Sequence, residues 1–585
     1  FLIALALVIT ANLPLLAAED LADPIYEEEY VVTATRIPQS PERASGMTET
    51  ISGEEMEQGI EPVSEVLAES GFSLNTNGGD SSYALPQMDG VNNSRLQFLV
   101  NGVPLSPDPG GNVDLSYFPT AGLEKIEIVH GPLSALYGAN ALGGVVNIIT
   151  DLTGESNNML AFTCGSFSSQ RWAAAFAREH WGIAIGGNTT DGHRPHSKTE
   201  GSYVSGQYNI FQNDEEYLTL RANFMAKDAL LPGHLTSGGR GQQKDQLVLT
   251  DLSGKAEWLN GIWEYKIYAQ NQERNHESYD WGTKDTHDVS NYGIDVAGQY
   301  EVANHQLLAG STFKVDSVDS TASGQHNLDN FGLYLQDLWY LPSDLMLLSG
   351  LRWDYNSQYG SPLSPRLSIT KDFSDGLKIS LAYGEAFRAP TINDLYYEDP
   401  FYHGNPNLKP ERSRRYDLIG SWITKKSSLT VDLYYSLTKD GIQTTTDWST
   451  VENIGGIKIT GINLKLEREF APNFRGRLGY GWLNRMERDN NTGKYTPNMP
   501  YGTHRMDLAM NYKWNNLISA LNWQMVADRT ALPDYHLVQL NFKYRFNDLL
   551  NLSFTTNNLL DEEYEIVSGY PMPGRSFSAA LNYNF

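Results

Sequence analysis

Residues 537–546 read LVQLNFKYRF. Val538, Leu540, Phe542, Tyr544 and Phe546 fall on one face of an extended chain, and Gln539, Asn541, Lys543 and Arg545 on the other, because successive strand side chains point to opposite sides. One apolar face and one charged face suit a strand with lipid on one side and a wet lumen on the other; a dry sandwich core would not accept mid-strand Lys and Arg. The same alternation runs through 217–226, 429–438 and 577–585. Segments of about nine to ten residues cross a bilayer when tilted. Stretches rich in Asn, Asp and Gly, such as Asp489 to Gly493, separate them as turns. Tyr and Trp near segment ends (Trp339, Tyr340, Trp482 and Tyr544) read as interfacial aromatic girdles.

Roughly 435 residues follow position 150, and at roughly 20 residues per strand with its connection they supply about 22 antiparallel strands, a size at which barrels carry a plugged lumen. The whole chain has 585 residues, a net charge of −27, 33 Tyr and 52 Gly, with 19% charged residues. That share lies below the ~25% of soluble domains. An acidic chain lacks the Lys/Arg surplus that neutralises phosphates, so no nucleic-acid partner is expected. A single cysteine, Cys164, excludes an internal disulfide framework and a multi-cysteine metal site. The 12 histidines are scattered, and no Ser/His/Asp or Cys/His constellation argues for an enzyme. The glycines of 131–144 lead into a strand and lack the spacing of a phosphate cradle.

The amino end has another character. Residues 1–18 (FLIALALVITANLPLLAA) read as a signal peptide cleaved near Ala17 or Ala18, and 19–40 as a periplasmic segment. Within 41–150 the period-two rhythm is absent. Ser52 and Glu55 have capping-box spacing. Val63, Val66 and Leu67 recur at helical spacing, with Gly71 as a stop. Short strands are expected at 96–100, 126–129 and 145–150, with loops at 75–82 and 104–113. This is a small α/β domain, and inside a barrel spanning 151–585 it serves as a plug.

Five motifs then carry a family resemblance. Glu28 to Arg36 (EEYVVTATR), Gly131 to Thr150 (GPLSALYGANALGGVVNIIT), Phe387 to Pro390 with Asn405 to Leu408 (FRAP, NPNL), Asn557 to Arg575 (NNLLDEEY and GYPMPGR) and the terminal Phe585 stand in order along the chain. Together they resemble TonB-dependent outer-membrane receptors, and the segment from Leu96 to Gly131, including Asp114 to Ser116 (DLS) and Phe118-Pro119, is similar to their cobalamin branch. Two positions depart. The family's plug arginines, expected to pair with barrel carboxylates, are replaced by His130 and by Asp89 (in Met88-Asp89-Gly90), so plug–barrel salt bridges do not carry over there.

The resemblance implies an all-β transmembrane barrel with an N-terminal plug in the outer membrane of a Gram-negative-type bacterium. It makes Tyr30, Val31, Val32, Thr33 and Ala34 the strand offered to the TonB carboxy-terminal domain and its energising complex, by addition to a sheet edge. Cargo remains open between a corrinoid, placed first, a ferric siderophore and haem; a passive porin is the reading from another class. His403, between FRAP and NPNL, is the candidate haem ligand. The apical plug loops offer substrate contacts at Asn75, Asn77, Tyr83, Asn92, Asn93, Asp108 and Asn112. No cofactor is required by this reading. The acidic loop Asp280 to Asp288 suggests at most a Ca2+ site using Asp280, Asp285 and Asp288, since hard cations want several oxygens.

Overall fold

The computed structural model describes residues 31–39, 46–53, 61–76, 78–79, 83–120, 122–154, 158–213, 215–373, 376–489, 492–499 and 502–585. The signal peptide, Tyr30, Asn77, Glu55 and most of the 19–40 segment lie outside the described residues.

Twenty-two antiparallel strands form a closed barrel. Closure joins the first strand, Met159–Gly165, to the last, Ser576–Asn584, with Leu581 opposite Phe162 and Tyr583 opposite Leu160. The alternation in 537–546 is realised in Tyr535–Arg545: Phe542 is 41% exposed toward lipid, while Lys543 is 4% exposed on the lumen side. Several strands reach beyond the expected nine to ten residues. Thr283–Val302 has 20 and Val451–Ala471 has 21, far more than the membrane needs, so their pairing continues above the apolar belt. Trp339 faces out as expected. Tyr340, its chain neighbour, takes the opposite face and packs beside Leu338 and Met346, where its hydroxyl donates to Gln306; the two could not share one girdle, because adjacent strand residues diverge.

The plug is built on a five-stranded sheet, β1 (Thr48–Ser52), β6 (Leu123–His130), β7 (Gly144–Thr150), β4 (Leu96–Val100) and β5 (Val103–Pro104), in that spatial order, with β4 and β7 parallel. Two short strands, β2 (Ser73–Asn75) and β3 (Leu85–Gln87), pair separately. Phe98, Leu115, Ile126, Ile128, Val146 and Ile148 form its core, each almost fully buried; each such side chain contributes roughly 1.5–3 kcal/mol. Helix α1 (Val63–Glu69) starts after Pro62, whose fixed φ suits a helix entry; Ser52 closes β1, and Gly53 directly after it is helical. Val63 and Leu67 are its buried stripe. Barrel side chains finish the helix: Gln524 and Arg505 donate to the Ala68 carbonyl at 2.7 and 3.4 Å, and Arg477 to that of Glu69 at 3.2 Å. Cationic donors there complement the negative end of the helix dipole.

A short helix α2 (Ser134–Tyr137) connects β6 to β7. Two glycines of this stretch are dictated by space. Gly131 has φ +89, and a Cβ on Gly144 would run into the Val129 carbonyl.

Candidate functional site

The amino-terminal segment is folded into the lumen. Val31 and Gln39 exchange backbone hydrogen bonds at 2.8 and 3.2 Å, and the chain turns between them with Arg36 at φ +56. Thr33 is 1% exposed, and its amide and hydroxyl both donate to Glu127 Oε2, at 2.9 and 2.5 Å. Glu127 is fully buried between Ile126 and Ile128 on β6 and is also paired with Lys125. Every carbonyl from Thr33 to Arg36 is taken. Tyr137 donates to Thr33, Arg366 to Ala34, Gln336 to Thr35 and Gln299 to Arg36, at 2.8 to 2.9 Å. The Arg36 guanidinium lies 2.7 Å from Asp295, donates to the Tyr334 hydroxyl and covers the Tyr137 ring. At roughly 1 kcal/mol per neutral bond and more for the charged ones, these contacts hold the segment by several kcal/mol.

A second attachment lies elsewhere on the plug surface and is made of charge. Asp89, at φ +51, accepts from Arg415 at 2.6 Å, from His130 at 3.1 Å and from Asn463 at 2.9 Å. His130 also meets Glu49 at 3.1 Å, and Glu49 meets Lys465 of the barrel at 3.4 Å. Arg415 further binds Asp417 and Asp432 and stacks over Tyr434. Burial by itself would lower the His130 pKa, but the Asp89 and Glu49 carboxylates beside it push it up to about 10. Burial would raise Glu49, but Lys465, with His130, brings it down to about 2. The two departures from the family pattern thus form one site of reversed polarity, with the carboxylate on the plug and the arginine on the barrel. Elsewhere the expected polarity persists, as in Arg95 with Glu411 at 2.8 Å.

At the apex, Asp108 Oδ1 accepts the amides of Gly110 and Asn112, while Oδ2 pairs with Arg274 at 2.5 Å. The long outer loop 389–410 folds in over this apex. Its helix α3 (Ile392–Tyr396), closed by a Thr391/Asp394 capping box, places the Asn393 amide on the Pro109 carbonyl at 2.9 Å. Asn92 is exposed, Asn75 and Tyr83 half-buried. The Asn75 side-chain oxygen is buried without a partner among the described residues. Asn93 is a brace: its amide bonds both the N–H and C=O of Val113. Asp114 is bound to the barrel through Lys227 at 2.9 Å and accepts the amides of Ala84 and Ser116, which makes the DLS motif a plug–barrel bracket. Burial would raise the Asp114 carboxyl, but the Lys227 ammonium holds it below its ordinary range. A cavity of about 400 Å³ separates α1 and 116–119 from the barrel wall, with Tyr203, Arg505 and Tyr535 on the wall side.

His403 is 52% exposed, with its imidazole 2.8 Å from Glu398. The acidic loop does not converge as expected. Asp280 is held by Arg240 at 2.7 Å, and Asp285 lies 4.0 Å from His276. Asp288 stands opposite Glu273 and Asp319, three carboxylates spread over successive strands. Among the described residues no group of three His, Cys, Asp or Glu side chains is arranged to hold a metal ion.

This geometry, a closed barrel around a plug whose leading segment turns back on itself inside the lumen, is that of a plugged-barrel receptor. The chain matches the model of the TonB dependent receptor-like beta-barrel over residues 153–559 and that of the TonB-dependent receptor plug domain over residues 40–145, and it belongs to the TonB-dependent receptor family of the outer membrane. Among curated relatives, the vitamin B12 transporter BtuB of Photobacterium profundum is 27% identical, with 96% of each chain covered. The vitamin B12 transporter BtuB of Vibrio cholerae serotype O1 is 26% identical over the same shares. Among solved structures, the ferric enterobactin receptor PfeA of Pseudomonas aeruginosa superposes with a TM-score of 0.80 at 16% identity, covering 93% of this chain and 100% of that one. The copper transporter OprC superposes at 0.79 and 17%, covering 92% of this chain and 99% of that one. Receptors for such different cargoes share this fold, so the fold leaves the cargo undecided.

Proposed function

We propose that this receptor takes up a corrinoid, and that residues 30–34 are the strand on which the TonB carboxy-terminal domain pulls. The observation that carries the cargo is the likeness to vitamin B12 transporters along nearly the full length of both chains. The superposed siderophore and copper receptors speak for the fold alone. Asn75, Asn77, Tyr83, Asn92, Asp108 and Asn112 are the proposed contacts. Coupling requires the segment to leave the lumen, because the carbonyls it would offer to an added strand are already occupied within the receptor.

Titration of the purified receptor with cyanocobalamin, haemin and a ferric siderophore panel tests the cargo. Cyanocobalamin is expected to bind tightly; tight haemin binding that disappears in His403→Ala would overturn the ranking. For coupling, Val31→Pro removes a ladder donor. Energised uptake should vanish while surface binding stays, and equal loss of both would defeat the handle. Deleting residues 28–36 should likewise stop uptake, whereas a passive porin would continue to pass solute.

A further inference from the structure

On a chain of net charge −27, one part of the outer rim is basic. Arg412 and Arg414 lie on strand Glu411–Ile423, Lys439 on Ser427–Thr444, Lys458 on Val451–Ala471 and Arg488 on Phe474–Arg488. These strands are neighbours in the barrel. Strand parity puts all five side chains on the outward face. On the first two strands that face continues into Tyr416, Leu418, Tyr435 and Leu433, each about 40–50% exposed toward lipid. The basic group is at the outer end, since Glu411 follows the long loop 389–410 and the far end of its strand enters the short turn 424–426.

Arg412 stands directly opposite Lys439 in the ladder, a like-charge pairing that destabilises a sheet unless an anion is supplied. Among the described residues no carboxylate lies within ion-pair distance of Arg412, Lys439 or Arg488. Only Arg414 has one, Glu385 at 3.0 Å, and Lys458 rests on the Tyr495 ring. Elsewhere on the outer rim, cations such as Lys198, Arg240 and Lys244 are neutralised by Glu200, Asp280 and Asp228.

We propose that Arg412, Lys439 and Arg488, with Lys458, bind the phosphates of a phosphorylated outer-leaflet glycolipid. The acyl chains of that lipid would run down the apolar column below. The argument is continuity with the lipid-facing surface combined with charge complementarity: guanidinium forks match phosphate oxygens, and clustered Lys/Arg at a membrane surface select anionic headgroups.

The test uses the full-length receptor in detergent and native mass spectrometry with bisphosphorylated lipid A, monophosphoryl lipid A and phosphatidylcholine as probes. The wild-type receptor should retain bisphosphorylated lipid A most strongly, and Arg412→Glu/Lys439→Glu/Arg488→Glu should lower retention about five-fold or more. Lys198→Glu/Lys244→Glu, on the neutralised rim, should leave it unchanged. Equal retention by the triple variant, with the barrel shown folded by its heat-modifiable gel mobility, overturns the proposal. So does displacement by inorganic phosphate as effective as by lipid A, which would mark a free-anion site. If the triple variant does not fold, the wild type decides by salt. Binding should weaken in about 0.5 M NaCl, and insensitivity to it overturns the assignment.

Discussion

The plug is fastened to the barrel in two different ways. Residues 31–39 are held mainly through their backbone groups, with Arg366 on the Ala34 carbonyl and the ion pair of Arg36 and Asp295 as charged links to the barrel wall. The surface around Asp89 is held by interlocked charges, Arg415 alone contacting three carboxylates. Backbone hydrogen bonds are modest one by one and exchange readily for those of an added strand. Buried charges have no such substitute, and stripping one of its partner is severe. The difference suits the proposed coupling, in which the leading segment comes free while the body of the plug stays in place.

Arg415→Ala should break this contrast most strongly. Asp89, Asp417 and Asp432 lose their shared cation, and plug attachment should weaken by about 3–5 kcal/mol. Urea-dependent proteolysis of the plug measures it; a wild-type profile would mean that the network holds nothing. Asp295→Ala should come next, loosening the leading segment by about 2 kcal/mol, the range of a hydrogen bond to a charged group. In a Cys164→Ser background carrying Thr33→Cys, thiol labelling should then accelerate about thirty-fold, with the Asp89 side unaffected.

A third outcome concerns pH. His130 sits at about 10 in the folded plug against 6.5 ordinarily, so its contribution is complete below 6.5 and is lost as pH rises through 10. Glu49, at about 2 against 4.5, contributes fully above 4.5 and loses its share as pH falls through 2. Plug release in urea should therefore become easier across the alkaline window, and His130→Gln should flatten that slope. An unchanged slope would show that the imidazole is not the titrating group. The smallest effect is expected from Gln336→Ala, which frees the Thr35 carbonyl at a cost of about 1 kcal/mol and should raise the labelling rate about five-fold.

The barrel was legible in the sequence because period two is enforced residue by residue: Lys543 and Phe542 cannot exchange faces without placing a charge in lipid. The plug strands were legible as apolar runs. The start of α1 at Val63 was not, because Pro62 enters it without any side-chain cap. The grip on the leading segment was missed as well, since its partners lie some 90 to 330 residues away. One signal was present: Glu127 interrupts the apolar run of β6, and a carboxylate there needs donors from another segment. The lost plug arginines suggested lost anchoring. What occurs is a change of sign, which no single position reveals until Arg415 is brought opposite Asp89.

The Val31–Gln39 bridge has one more consequence. Its two ends are held side by side, yet the chain between them would span about 25 Å when extended. Opening the bridge therefore adds that much slack, lengthening the reach of the amino terminus into the periplasm before any strand of the plug sheet has to yield.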